Sequence, residues 1–218
     1  MRIIAFNGIA RGGKTTCAEF MEKWCNRHDM TPIRCSFADP MKKAAARIGL
    51  SKERNPTLYR KTLQGWGENK RNPNYQPGRS GPNYWVDRVR KMIVEYAAME
   101  RKRYDEMNRY GLSEEFKETV LIFDDLRYPN ELELVYEMNG IAVFVDGAPV
   151  VRDIEANWRL HESEALAMAI TFGVIDSEIF DYYVPNSSNL KKLEELVHKL
   201  APAWLDHDVL CPNCGGDD

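Results

Sequence analysis

Short apolar runs alternate with amphipathic segments along most of the chain. The apolar runs have the length of buried strands and fall at residues 2–6, 32–37, 120–123, 141–145 and 182–184. Apolar residues at helical spacing occupy the segments at residues 14–27, 41–48, 130–139, 163–172 and 190–200. Continuously apolar strands that alternate with helices are typical of a parallel sheet covered on both faces. The pattern therefore predicts an α/β fold, with a parallel sheet and helices on both of its faces.

The middle of the chain departs from this alternation. Residues 58–69 and 85–110 show helical spacing, and the stretch between them is rich in Asn, Pro and Gly, which predicts a loop. No strand pattern occurs in this region. We therefore predict one domain over residues 1–205, with a helical insertion at about residues 51–117 and a flexible tail at residues 206–218.

A glycine-rich loop joins the first predicted strand to the first predicted helix. Its sequence, Gly8-Ile-Ala-Arg-Gly12-Gly13-Lys14-Thr15, fits the pattern G-x-x-x-x-G-K-[ST] in full. In such loops the backbone N–H groups surround the phosphates of a nucleotide, the lysine neutralises their oxygens and the hydroxyl binds Mg²⁺. Because a strand precedes the loop and a helix follows it, we predict a phosphate loop that binds ATP and Mg²⁺. A glycine-rich turn without a ligand is the alternative.

Carboxylates and an arginine follow the apolar run at residues 120–123. Asp125 stands where a buried strand ends, which is the position of the acid that holds Mg²⁺ in proteins with a phosphate loop. Arg127 is expected over the same edge, where a guanidinium can clamp a phosphate through two N–H groups. A simple turn at Asp125 and a surface ion pair at Arg127 are the alternative interpretations.

Charge is distributed unevenly along the chain. The whole sequence has 30 Lys and Arg against 33 Asp and Glu, for a net charge of −3, which argues against nonspecific coating of nucleic acid. Residues 34–103, however, contain 17 Lys and Arg against 6 Asp and Glu. A basic segment beside a phosphate loop suits a second anionic substrate. The sequence also contains no N-K-x-D run, which GTPases use to recognise guanine. The basic segment and the missing run together favour a kinase over a GTPase.

Cysteine usage and hydropathy predict a cytoplasmic protein. The five cysteines are irregularly spaced, so reduced thiols are expected. No apolar run approaches the roughly 20 residues that a membrane helix needs, and the N-terminus does not have the pattern of a signal peptide.

Cys211 and Cys214 with His207 resemble half of a zinc site, but a flexible tail is the favoured interpretation. His161 is expected to cap or orient the helix that follows it.

Five short blocks together resemble the phage deoxynucleoside monophosphate kinases. They occur in the family's order: Gly8 to Thr16; Ala38-Asp-Pro-Met-Lys42; Leu63-Gln-Gly-Trp-Gly67 with Tyr84-Trp-Val86; Asp125-Leu-Arg127 with Glu131; and His161-Glu-Ser-Glu164 leading to Asn186. The first block is specific by itself, and the others add specificity through their order. Thr15 departs from the family, whose members commonly carry Asp after the loop lysine.

The resemblance implies ATP-dependent transfer of a γ-phosphoryl group to a deoxynucleoside 5′-monophosphate, assisted by Mg²⁺. The residues implied for catalysis are Lys14, Arg11, Asp125 and Arg127, and those for Mg²⁺ are Thr15 and Asp125. ATP would contact Gly8, Arg11, Gly12, Gly13, Lys14, Thr15, Thr16 and Asn186. The acceptor would contact Lys42, Arg60, Gln64, Gly67, Trp85, Asp125, Arg127 and Glu131. Cationic side chains suit the acceptor phosphate, Gln64 suits a base edge and Trp85 suits a base face.

Alternatives remain at several of these positions. Trp85 is also compatible with a core residue, and Asn186 with a simple helix cap. Two other functions stay open: a kinase that acts on a modified base or an end within DNA, and a nucleotide-binding module without catalysis. ATP and a deoxynucleoside monophosphate are the expected partners; a membrane is not expected, DNA is the less favoured acceptor, and a homodimer is compatible with the sequence.

Overall fold

The structure is a computed structural model that describes residues 1–76, 79–147, 162–187 and 189–205. The predicted tail at residues 206–218, with His207, Cys211 and Cys214, lies outside the described residues, as does His161. The chain divides into two compact units, Met1–Ser36 with Tyr104–Asp218 and Phe37–Arg103. The second of these units overlaps the predicted helical insertion.

The first unit contains one sheet of five parallel strands. The strands are β1 (Arg2–Asn7), β2 (Thr31–Cys35), β3 (Thr119–Phe123), β4 (Ile141–Gly147) and β5 (Tyr182–Asn186), in the spatial order β2-β3-β1-β4-β5. Ile4 of β1 lies beside Ile122 of β3 and Ile141 of β4. The predicted α/β fold with a parallel sheet is therefore confirmed. Its carboxyl ends meet at one edge, where loops that bind ligands are usually found.

Helices of the first unit cover both faces of the sheet. On one face lie α1 (Lys14–Arg27) and α7 (Leu190–Leu205), whose Trp204 packs edge-on against Phe6 at 5.8 Å between ring centroids. On the other face lies α5 (Pro129–Glu137), which contacts β1 and β4. A further helix of this unit, α6 (Ala165–Thr171), follows a short 3₁₀ turn at Glu162–Glu164; similar turns occur at Ser113–Glu115 and Ser177–Ile179.

The second unit is helical. It contains α2 (Asp39–Arg47) and α3 (Pro56–Arg71), which pack together, and most of α4 (Tyr84–Arg109). Asn55 caps α3 by accepting a hydrogen bond from Leu58 N at 2.9 Å, and Pro56 occupies the first turn. Helix α2 begins at Asp39, its cap position is Ala38, and Pro40 stands in its first turn.

Two elements end later than their local patterns predict. The last strand continues to Asn186, two residues beyond its predicted end at residue 184. The last helix continues through Pro202 to Leu205 instead of ending at residue 200. Burial of Ala201, Trp204 and Leu205 in the core stabilises the extra turn and offsets the hydrogen bond that Pro202 cannot donate. In the described residues no helix combines the length and apolarity needed to cross a membrane.

Both outer strands of the sheet contain a proline. Pro32 lies in β2 opposite Val120, and Pro185 lies in β5 opposite Asp146. The three inner strands contain none. Proline has no N–H to donate to a neighbouring strand, so an outer strand is the place in a sheet that tolerates it.

Candidate functional site

The glycine-rich loop, Gly8–Gly13, packs against the carboxyl end of β4. A Cβ atom built on Gly8, whose φ is +144°, would lie 2.3 Å from the carbonyl oxygen of Val145. A Cβ atom on Gly147 would lie 2.1 Å from the carbonyl oxygen of Gly12. Distances this short leave no room for a side chain at either position. The close approach of the two backbones therefore requires glycine, and it fixes the loop at the end of the sheet.

Strand β5 holds the end of the loop where α1 begins. The Asn186 side chain donates a hydrogen bond from Nδ2 to the Gly12 carbonyl oxygen at 2.9 Å. Gly13 precedes α1 with φ +102°, and a Cβ atom there would lie 2.4 Å from Asn186 Nδ2. Gly13, the residue at the cap position of α1, has no side chain that could accept from the N–H groups of the first turn. The alternative that Asn186 caps the last helix does not hold, because Asn189 is the residue that accepts the hydrogen bond from Lys192 N at the start of α7.

Lys14 is buried beneath the loop. Its side chain donates from Nζ to the carbonyl oxygens of Gly8 at 2.7 Å and Ile9 at 2.8 Å. Burial, and after it the positive charge of Arg127, lower the pKa of Lys14 to about 8. Glu164, Asp124 and Asp125 act in the opposite direction on this pKa. These four charged side chains therefore lie close enough to Lys14 to affect its protonation.

Arg127 is held by residues that precede α6. Its Nη1 atom donates to Glu164 Oε1 at 2.5 Å and to Ser163 Oγ at 3.1 Å. The other oxygen of Glu164 accepts a hydrogen bond from the backbone N–H of Ala10 at 2.8 Å. The Glu164 side chain is only 5% exposed, whereas that of Arg127 is 38% exposed. One carboxylate thus joins the guanidinium to the glycine-rich loop.

The two aspartates after β3 have different partners. Asp124 accepts from Arg34 Nη2 at 2.5 Å, and Asp125 accepts a hydrogen bond from the hydroxyl of Ser36. Carboxylate and hydroxyl oxygens are ligands that suit Mg²⁺, which keeps several waters or phosphate oxygens around it. Asp125 and the exposed Thr15 at the start of α1 match this chemistry. Among the described residues, no group of three or more His, Cys, Asp and Glu side chains is placed to hold a metal by itself.

Glu131, predicted to contact an acceptor, makes hydrogen bonds to the backbone. The side chain is buried, and Oε2 accepts from Arg127 N at 2.8 Å and from Tyr128 N at 3.1 Å. Glutamate in the first turn of a helix commonly satisfies such N–H groups, and Glu131 follows Pro129 in the first turn of α5. These bonds hold the backbone that carries the Arg127 side chain.

The other predicted acceptor residues lie in the second unit. Arg60, Gln64 and Gly67 share one face of α3 because they are four and three residues apart. Lys42 on α2 is 44% exposed and pairs with Asp39 at 3.3 Å. Trp85 on α4 is buried and packs edge-on against Tyr84, and its indole Nε1 lacks a hydrogen-bond acceptor among the described residues. This burial fits the core interpretation of Trp85 and leaves its predicted role toward a base as a prediction.

The first unit brings Lys14, Arg127 and Asp125 close together, and it adds Glu164 and Ser36, for which the sequence predicts no role. Glu164 stands in the resemblance block His161-Glu-Ser-Glu164, and its partners Ala10 and Arg127 are remote in sequence.

A scan of the chain against protein-family models finds no match, and neither does a search of curated proteins. The interpretation of the site therefore depends on its own chemistry.

Proposed function

We propose that this protein transfers the γ-phosphoryl group of ATP to a deoxynucleoside 5′-monophosphate. The observation that supports this most directly is the glycine-rich loop at the carboxyl end of the sheet. A buried lysine lies beneath this loop, and the helix that follows it has glycine at its cap position. Loops with these features bind the phosphates of nucleotides through backbone N–H groups and a lysine.

Arg127 and the nearby carboxylates suit the transfer step. A guanidinium neutralises charge on transferring phosphate oxygens, and the 38% exposure of Arg127 leaves part of it open to a ligand. Thr15 and Asp125 would hold Mg²⁺, which when bound would neutralise negative charge on the phosphates. Arg11, exposed within the loop, is a further cation for these oxygens. Little acid-base catalysis is needed, because the acceptor phosphate is already anionic near neutral pH.

The acceptor is assigned from the charge and side chains of the second unit. Residues 37–103 contain 16 Lys and Arg against 6 Asp and Glu. Two anionic substrates repel each other, so a phosphotransferase must neutralise both of them. Lys42 and Arg60 would bind the acceptor phosphate, and Gln64 would bind a base edge through its amide.

Release of ADP in the presence of each deoxynucleoside and ribonucleoside monophosphate tests the proposal. We expect ADP release to depend on a deoxynucleoside monophosphate. ATP hydrolysis at the same rate without any acceptor would contradict the proposed transfer. Binding of ATP with no consumption under any condition would instead indicate a nucleotide-binding module.

Substitution of the loop lysine tests the role of the loop. Lys14→Ala is expected to lower the rate of transfer by orders of magnitude, because the charge on the β- and γ-oxygens is then no longer neutralised. Lys23→Ala is the matched control, since Lys23 is exposed on the same helix. Circular dichroism shows whether both variants keep the fold. Near-normal transfer by a folded Lys14→Ala variant would exclude this assignment of the loop.

The same basic unit supports a second acceptor class. A kinase that acts on a base or an end within DNA would also need a cationic surface for the strand, and residues 37–103 carry that charge. Single-stranded and duplex DNA are therefore included as acceptors in the ADP-release assay. Transfer to DNA with none to monophosphates would favour this second function.

A further inference from the structure

Glu164 is a buried carboxylate to which the proposed function gives no role. It stands directly before α6, and its two oxygens have different partners: Oε1 accepts from Arg127 Nη1 at 2.5 Å, and Oε2 accepts from Ala10 N at 2.8 Å. Burying a carboxylate is costly unless both oxygens are paired, and here both are. Glu164 therefore connects two parts of the site that lie more than a hundred residues apart in sequence.

The pairing restrains Arg127 without covering it. Ser163 and Glu164 both accept from Nη1 of the guanidinium, while 38% of the Arg127 side chain is exposed. A guanidinium has five N–H donors, so one anchored nitrogen leaves the others for a phosphate. Glu131 holds the same residue from the backbone side by accepting from Arg127 N. Arg127 is thus fixed at its backbone and at one nitrogen, which is the arrangement expected of a preorganised cation.

We propose that Glu164 is a positioning residue, which holds the Arg127 guanidinium at a fixed place relative to the glycine-rich loop through Ala10. This inference rests on the proposed function, because a fixed distance between loop and guanidinium matters for phosphoryl transfer between two bound phosphates. A misplacement of about 1 Å in such a site can lower a rate by roughly two orders of magnitude. The contribution of Glu164 is therefore expected in turnover rather than in ATP binding.

Glu164→Gln separates this role from a purely structural one. The glutamine amide has nearly the same size but only one acceptor oxygen, so it can hold Ala10 or Arg127 but not both. We expect kcat to fall about tenfold or more, while KM for ATP changes less than about threefold, since Lys14 Nζ keeps its hydrogen bonds to the carbonyl oxygens of Gly8 and Ile9. Glu164→Asp keeps the charge but is shorter by one methylene, so it cannot span both partners, and the same fall in kcat is expected.

Glu118→Gln is the matched control. Glu118 also pairs with an arginine, Arg2 at 3.0 Å, but it lies next to the amino ends of β1 and β3, away from the loop. We expect this variant to keep the wild-type kcat. Thermal unfolding of all variants shows how much folded protein each assay contains. A Glu164→Gln variant with wild-type kcat, or with a loss of kcat no larger than its loss of folded protein, would overturn the inference.

A double-mutant cycle tests whether Glu164 acts through Arg127. Once Arg127→Ala has removed the guanidinium, adding Glu164→Gln should lower kcat no further. Two losses that multiply as independent effects would contradict the positioning role. Wild-type protein that transfers no phosphoryl group would overturn the proposed function itself, whereas active wild-type protein with an unchanged Glu164→Gln variant would overturn only this inference.

Discussion

The burial of Lys14 has a cost in stability that depends on pH. The folded-state pKa is lowered to about 8 from 10.5, chiefly by burial and then by Arg127, so between these pH values the unfolded chain binds more protons than the folded chain. The free energy of unfolding should therefore rise with pH across this window, relative to a variant without the titrating group. Chemical denaturation of wild-type protein and Lys14→Met from pH 7 to pH 11 measures this difference. A difference that stays constant or falls with pH would contradict the lowered pKa.

Gly8 is the residue whose replacement is expected to damage the loop most directly. Alanine there would place its Cβ atom 2.3 Å from the Val145 carbonyl oxygen, at a φ of +144°. We expect Gly8→Ala to lower the free energy of unfolding by about 1–3 kcal/mol or more and to abolish ATP binding. Calorimetry and a nucleotide titration measure the two effects.

Gly49→Ala is the control for backbone strain alone. Gly49 also has a positive φ, +73°, but a Cβ atom there meets nothing within 4 Å. Gly49→Ala should lower the free energy of unfolding by about 1–2 kcal/mol, because alanine is strained in the left-handed conformation, and it should not affect ATP binding. A similar loss of ATP binding in both variants would show that strain, rather than the contact with Val145, determines the result.

At the scale of single residues, the sequence predicts which residues form the glycine-rich loop but not which residues they bond to. The pattern from Gly8 to Thr15 is local, because consecutive residues form the turn and the helix start. Glu164 meets Ala10 and Arg127 only because β1 lies next to β3 and β4 in the sheet, which no local pattern encodes. Glu131 falls within the helix that the sequence predicts at residues 130–139, but its hydrogen bonds to Arg127 N and Tyr128 N require the structure.

At the scale of elements, two glycines of α3 provide a paired test. A Cβ atom on Gly65 meets nothing within 4 Å, so Gly65→Ala should raise the free energy of unfolding by about 0.5–1 kcal/mol through helix propensity. A Cβ atom on Gly67 would lie 3.0 Å from Arg71 Nη1 and 3.7 Å from Met41 Sδ. Gly67→Ala should therefore raise the free energy of unfolding by less than Gly65→Ala does. Chemical denaturation measures both changes.

The same pair tests the predicted acceptor face of α3. If Gly67 contacts the acceptor, as the family resemblance implies, Gly67→Ala raises KM for the monophosphate and Gly65→Ala leaves it unchanged. Equal KM values in the two variants would remove Gly67 from the acceptor residues while leaving the stability comparison valid.

Most strands and helices of the first unit follow from apolar patterns, and the exceptions have a tertiary cause. The strand β5 extends to Asn186 because it pairs along β4 as far as Gly147. The helix α7 passes through Pro202 because Trp204 and Leu205 are buried against the sheet. In both places contacts with distant residues outweigh the local signal for a turn or a helix end.

At the scale of the whole molecule, the basic charge of residues 37–103 predicts how binding responds to salt. A DNA strand neutralised by many of these cations would release many counterions, so its affinity should fall by about a thousandfold or more between 50 and 200 mM salt. A monophosphate carries few charges and should lose much less. Titration of each ligand at several salt concentrations decides between the two acceptor classes. A steep loss for the monophosphate as well would contradict a small binding site.

The prolines of the outer strands bear on how these molecules behave when crowded together. A strand from another chain that approached β2 or β5 would meet a backbone position without an N–H, at Pro32 or at Pro185. Growth of the sheet from molecule to molecule, the first step toward fibrils, is thereby discouraged at both ends. Replacing both prolines would restore two donors and leave the sheet open to such growth.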